Sequence, residues 1–230
     1  MLQIRSWPGF YEPFNSLSHL VGAAVFLVLG VRLLRASRGD RLHKWFFGVF
    51  AFTSVLLLSM SGVFHMLEEG STGRAVLGRL DKAAIFALIA GTHTPVQGLF
   101  FRGGARWGVI AIMWTLAVTG ITLFSIFYES LPHGLGTGMY LLMGWIAGIA
   151  GLVAWRRERR ARIGLLVLGG LFYSAGAILL GLEWPVIVPP SFGPHELWHV
   201  AVLIAMALHW RFMFWNAQRA CRGTPSSPTG

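Results

Sequence analysis

Two short stretches place histidines at regular intervals on the edges of long apolar runs. In "SGVFHMLEEG" Ser61 and His65 stand four residues apart, and in "HELWH" His195 and His199 repeat that spacing. On a helix, i and i+4 share one face and lie about 6 Å apart in depth. Three imidazoles drawn from two such helices can meet at one ion about 2.0–2.1 Å from each nitrogen, and a fourth position open to water is the pattern of catalytic rather than structural zinc. Asp81, in "RLDKAA", offers a carboxyl group able to accept or relay a proton. A lone histidine on an apolar helix is more often a packing or hydrogen-bonding residue, and an H-x-x-x-H spacing arises easily by chance. The weight therefore falls on whether these groups converge.

Convergence depends on the elements that carry them. The chain has 230 residues, 55% hydrophobic and only 12% charged, with a mean hydropathy of +0.62, whereas soluble domains carry about 25% charged residues. A spanning helix needs roughly 20 apolar residues, and seven stretches approach that length: 14–36, 45–66, 82–101, 107–127, 134–155, 163–182 and 196–215. The expected fold is all-α, a polytopic seven-transmembrane-helix bundle over residues 1–216, followed by a polar Pro/Ser/Thr-rich tail, 217–230, expected to be disordered. The first apolar run has no basic leader and no cleavage pattern, so it reads as a retained helix. Cys221 is the only cysteine, so no internal disulfide forms.

Helix parity brings the groups together. Odd helices begin, and even helices end, on one side of the membrane. That side holds His19 of helix 1, Ser61 and His65 of helix 2, Asp81 at the start of helix 3, and His195 and His199 of helix 7. It is also poor in arginine. Arg5, Arg74, Arg79 and Lys82 lie there, and the other 15 of the 19 Lys and Arg residues fall on the opposite side. The positive-inside rule then puts the N-terminus outside and the C-terminus in the cytoplasm. Topology thus accounts for the formal charge of +10, and a nucleic-acid partner is not expected.

The remaining polar residues have plainer readings. His19 and Asn15 are expected to hydrogen-bond neighbouring helices, with substrate contact as the alternative. Glu12 reads as a solvated loop carboxylate or a cap on the site's entrance, and Glu196 as a supporting or salt-bridging group on another face of helix 7. His93 lies about 18 Å deeper than Asp81 along a straight helix and is expected to pack. His209 should lie near the opposite surface, and His43 and His133 in loops. Gly144 and Gly148 form a G-x-x-x-G that permits close helix approach, and the ten tryptophans gather near helix ends.

The ordered motifs "EPFNSLSHLVG" (Glu12, Asn15, Ser18, His19, Gly22), "SGVFH", "LDKAAIFALIAGTHTP" and "HELWH" resemble the hemolysin III family. That family belongs with the progestin and adipoQ receptors and is distantly related to alkaline ceramidases. The resemblance covers all seven helices. It implies that His65, His195 and His199 bind Zn2+, that Asp81 holds or deprotonates the water at the metal, and that Ser61 stands beside it. It also implies a multi-pass protein of the plasma membrane, the inner membrane in a bacterium. The receptor branch is generally drawn with a cytoplasmic N-terminus, which the arginine distribution here opposes.

Two classes of function follow. The first is an intramembrane zinc-dependent hydrolase of lipid amide or acyl bonds, ceramidase-like, with membrane lipids as partners and a lipid substrate in the bundle cavity. The second is a non-enzymatic, receptor-like or lipid-homeostasis protein in which zinc is structural. A pore-forming hemolysin ranks last, because no polar stripe runs the length of any helix.

Overall fold

The computed structural model describes residues 7–37, 41–132, 134–157, 162–189 and 192–222. They form seven helices: α1 (Pro13–Ala36), α2 (Arg41–Met66), α3 (Thr72–Phe100), α4 (Gly103–Ile126), α5 (Leu135–Arg157), α6 (Ile163–Gly181) and α7 (Pro194–Arg222). Each is long and apolar enough to cross a bilayer. Among the described residues the only β-structure is two isolated bridges. The all-α, seven-span architecture read from hydropathy is the one observed.

The bundle is organised around α3. In its spanning window 78% of residues are buried, against 18% in α5 and 22% in α6. It packs on α2, α4 and α5, while α1 packs on α2 and α7, and α6 on α7. Residues such as Val21, Val25, Ile112, Ile149 and Ile178 are exposed; these outward faces suit lipid, since helices satisfy their backbone groups internally. Close approach near the histidines is set by one glycine: a Cβ on Gly62 would lie 2.7 Å from Cγ of Leu20. The Ser16 hydroxyl uses that proximity to donate to the Gly62 carbonyl at 2.8 Å, fixing α1 against α2 one turn before His65.

Several boundaries differ from the hydropathy reading. Helix α3 begins at Thr72 rather than 82, because the Ser71 side chain caps it by accepting from the Arg74 backbone N–H. This leading segment carries Arg74 and Arg79 and is too polar to register in an apolar window. Asp81 therefore lies within α3 rather than at its start. Helix α7 runs to Arg222, into the segment expected to be disordered, with Ala217 fully buried and Asn216 donating to the Phe212 carbonyl; residues 223–230 lie outside the described residues. His43 sits in the first turn of α2, not in a loop, and His133 falls outside the described residues.

The G-x-x-x-G of α5 does not mediate close packing. A Cβ on Gly144 would meet nothing within 4 Å, and Gly148 is approached by Trp145 of its own helix. Both glycines instead line a cavity of about 110 Å³ enclosed by α2, α3, α5, α6 and α7. Its wall is mainly apolar and runs along α3 from Ile85 to His93, about 12 Å at the helical rise.

Candidate metal centre

His65, His195 and His199 come together in one cluster, each offering a ring nitrogen within 4.8 Å of the others. His65 and His199 are almost fully buried. The Nε2 atoms of His65 and His195 are 3.4 Å apart, and those of His195 and His199 3.2 Å apart. Tetrahedral bonds of about 2.0–2.1 Å place neighbouring donors about 3.3 Å apart, so the spacing of these nitrogens fits a metal ion. The last turn of α2 and the first turns of α7 bring them there, as helix parity requires.

The residues around the three rings form a connected shell. Glu12, at the N-terminal boundary of α1, accepts from His65 Nδ1 through Oε2 and from the Arg74 guanidinium through Oε1. Its own backbone N–H donates to the His65 carbonyl at 3.0 Å. Burial of Glu12 disfavours its charge, but the hydrogen bond from His65 and the charges of His65 and Arg74 outweigh it and hold the carboxyl down to about 2. The solvated loop carboxylate expected at this position is thus corrected. Helix α1 carries this acid at its boundary, and α2 and α3 close over it.

Asn15 links two carboxylates, its Nδ2 donating to Glu196 Oε1 at 3.0 Å and to Glu12 Oε2 at 3.3 Å. Glu196 also accepts from the Gly193 backbone N–H at 2.8 Å, which satisfies an otherwise unpaired amide at the start of α7. His19 lies 2.9 Å from His199 Nδ1 through its Nε2. Its other ring nitrogen is buried without a partner among the described residues.

Asp81 is not one of the three-histidine set. Its carboxyl stands among the Ser61 hydroxyl, His65 and Lys82, and Ser61 is buried. A carboxylate beside the cluster, hydrogen-bonded by a serine, can accept a proton without occupying a donor position. His93 and His209 are buried elsewhere, in the wall of the cavity, held by the carbonyls of Met143 and Leu166. His93 is a packing and hydrogen-bonding residue as expected, and His209, bonded to the Leu166 carbonyl in the first turn of α6, lies toward the membrane face opposite the centre, as its depth along α7 requires.

Arg74 was not singled out from the sequence. It donates to Glu12 and to the Leu67 carbonyl, the latter at 2.6 Å, and its guanidinium lies over the rings of Tyr11 and Phe64. The available signal was its sign: it is one of few basic residues on the arginine-poor side.

Comparison with known proteins places the chain in a family. A family model described as haemolysin-III related matches residues 10–210, which include every residue of the centre. Hemolysin-3 of Bacillus cereus is 32% identical over 199 residues, covering 86% of this chain and 87% of the relative. The Hemolysin-3 homolog of Bacillus subtilis (strain 168) is 33% identical over 198 residues, covering 84% and 87%. An adiponectin receptor protein of Drosophila melanogaster is 28% identical over 222 residues, covering 86% of this chain and 49% of the relative. With the family matched from the first residues of the shell to the middle of α7, this multi-pass membrane chain belongs to the haemolysin-III-related family.

Proposed function

We propose that the chain is a zinc-dependent hydrolase that cleaves an amide or ester acyl bond of a membrane lipid. The observation that carries this reading is the convergence of three histidine nitrogens within 4.8 Å, with His195 at 3.4 Å from His65 and 3.2 Å from His199, beside the paired Asp81 and Ser61. Zinc held by three histidines lowers the pKa of water toward about 7 and polarises a carbonyl. Asp81 accepts a proton from the attacking water and returns it to the leaving amine or alcohol, and Ser61, whose single hydroxyl proton is released from Asp81 once that carboxylate is protonated, then donates a hydrogen bond to the carbonyl oxygen as charge develops there. One water is consumed, and the products are a fatty acid and an amine or alcohol. The apolar cavity, which begins about one turn deeper than Asp81 at Ile85 and is walled by residues such as Leu88 and Trp198, suits an acyl chain. By the positive-inside rule the basic end faces the cytoplasm, so the centre opens toward the outer leaflet.

A panel of acyl-amide and acyl-ester lipids, offered to the purified zinc-loaded protein, tests this by fatty-acid release. Turnover on at least one class is expected, and none across the panel contradicts hydrolysis.

One observation favours a second reading, in which zinc is structural. Helices α2 and α7 both pack on α1 and touch each other far from the histidines, where the Phe50 and Trp210 rings lie 5.0 Å apart, so an ion between His65 and the α7 histidines would pin their other ends together. Removing metal would then lower thermal stability with no reaction to lose.

A further inference from the structure

We propose that Glu12 is a positioning residue that locks His65 into the metal-binding tautomer before any metal arrives. The inference rests on the reading of the histidine cluster as a metal centre. A neutral imidazole carries one proton, and the nitrogen that lacks it is the one able to ligate. His65 Nδ1 faces Glu12 Oε2, and a carboxylate can only accept. The proton of His65 must therefore sit on Nδ1, which leaves the Nε2 lone pair directed at His195 Nε2, 3.4 Å away.

Glu12 is itself held from several sides. Arg74 binds its other oxygen, Asn15 donates to it, and its backbone N–H is tied to the carbonyl of the same histidine. It has no freedom to follow a rotated ring. Helix α1 thus contributes to the centre without supplying a ligand. Carboxylate partners of ligating histidines fix ring orientation and raise basicity, and losing one commonly costs 10- to 100-fold in metal affinity.

His19 provides an internal contrast. It approaches His199 Nδ1 with a ring nitrogen, and a neutral imidazole can donate or accept. That contact therefore permits both tautomers of His199 and locks neither. The geometry assigns Glu12 the larger share of preorganisation.

The test substitutes Glu12→Gln in the full chain, since glutamine keeps the shape but can present either a donor or an acceptor to Nδ1. Zinc affinity is measured by chelator competition, and the His65 tautomer by ¹⁵N NMR of histidine-labelled metal-free protein near pH 8, where imidazoles are neutral. Affinity is expected to fall roughly 10-fold for Glu12→Gln and roughly 100-fold for Glu12→Ala. Glu68→Gln, which touches none of the three histidines, should stay within about threefold of the parent. The parent should show His65 protonated at Nδ1, and Glu12→Gln a mixture of tautomers.

A purely structural Glu12 would lower the stability of the metal-free protein while leaving both affinity and tautomer unchanged, and that result overturns the proposal. Should Glu12→Ala fail to fold, the Glu12→Gln tautomer still decides it. A parent that binds no zinc removes the metal-centre reading and the proposal together; a parent that binds zinc as tightly as its Glu12→Gln variant removes the proposal alone.

Discussion

Glu12 and His65, 53 residues apart in sequence, grip each other twice, once through a backbone N–H to carbonyl bond of 3.0 Å and once through carboxylate and ring. The segment before α1 is thereby sewn to the last turn of α2, and the shell of the candidate centre is closed before α7 contributes.

Single replacement of His65, His195 or His199 by Ala should reduce bound zinc to a small fraction of the parent, because a site left with two imidazoles loses most of its affinity. His93→Ala and His209→Ala should keep the parent value, since both rings are held by carbonyls in the cavity wall. His19→Ala should also retain zinc at saturating metal. Elemental analysis of the purified variants checks all six.

Zinc should be released as pH falls through about 6.5, the ordinary histidine pKa, because ligation needs neutral imidazole. Glu12, held down to about 2 by its hydrogen bond and charged neighbours against the opposing effect of burial, remains a carboxylate throughout that range. Its lowered value means that the stability it contributes is present at neutral pH and is lost only as pH falls from about 4.5 toward about 2. Metal content followed from pH 8 to pH 5 should therefore not report protonation of Glu12.

Asp81→Asn should keep zinc and fold while lowering lipid turnover by about 100- to 10,000-fold, the usual contribution of a positioned acid–base group. Parallel measurement of zinc content and fatty-acid release separates this from loss of the metal. An unchanged rate would move the proton transfer to another residue.

Gly91→Ala should destabilise the bundle by about 1–3 kcal/mol, the cost of overpacking a tight contact, because its Cβ would overlap Thr53 where α2 crosses α3. Gly144→Ala should be neutral or stabilising by up to about 1 kcal/mol, because it faces open space. Thermal unfolding in detergent micelles distinguishes the two.

Much of this was legible in the residues. Hydropathy located every helix, and parity with i, i+4 spacing gathered His65, His195 and His199 at one side of the membrane. The failures have a common origin in tertiary context. The polar leading turns of α3 are invisible to an apolar window, yet they hold Arg74 and bury Asp81 inside the helix. Glu12 reads as a loop acid because nothing local reveals that His65 and Arg74 close over it. Gly144 and Gly148 share the signature of a packing interface, and only the placement of α5 away from its neighbours turns that face toward a cavity.

The central claim is that the three histidines hold zinc, and anomalous scattering across the zinc edge from crystals of the full chain tests it most directly. A single strong peak is expected about 2.0–2.1 Å from the Nε2 atoms of His65, His195 and His199, with Asp81 and Ser61 beside it. Zinc-supplemented crystals with no anomalous peak among these three rings, or with the peak at a different set of residues, would contradict it.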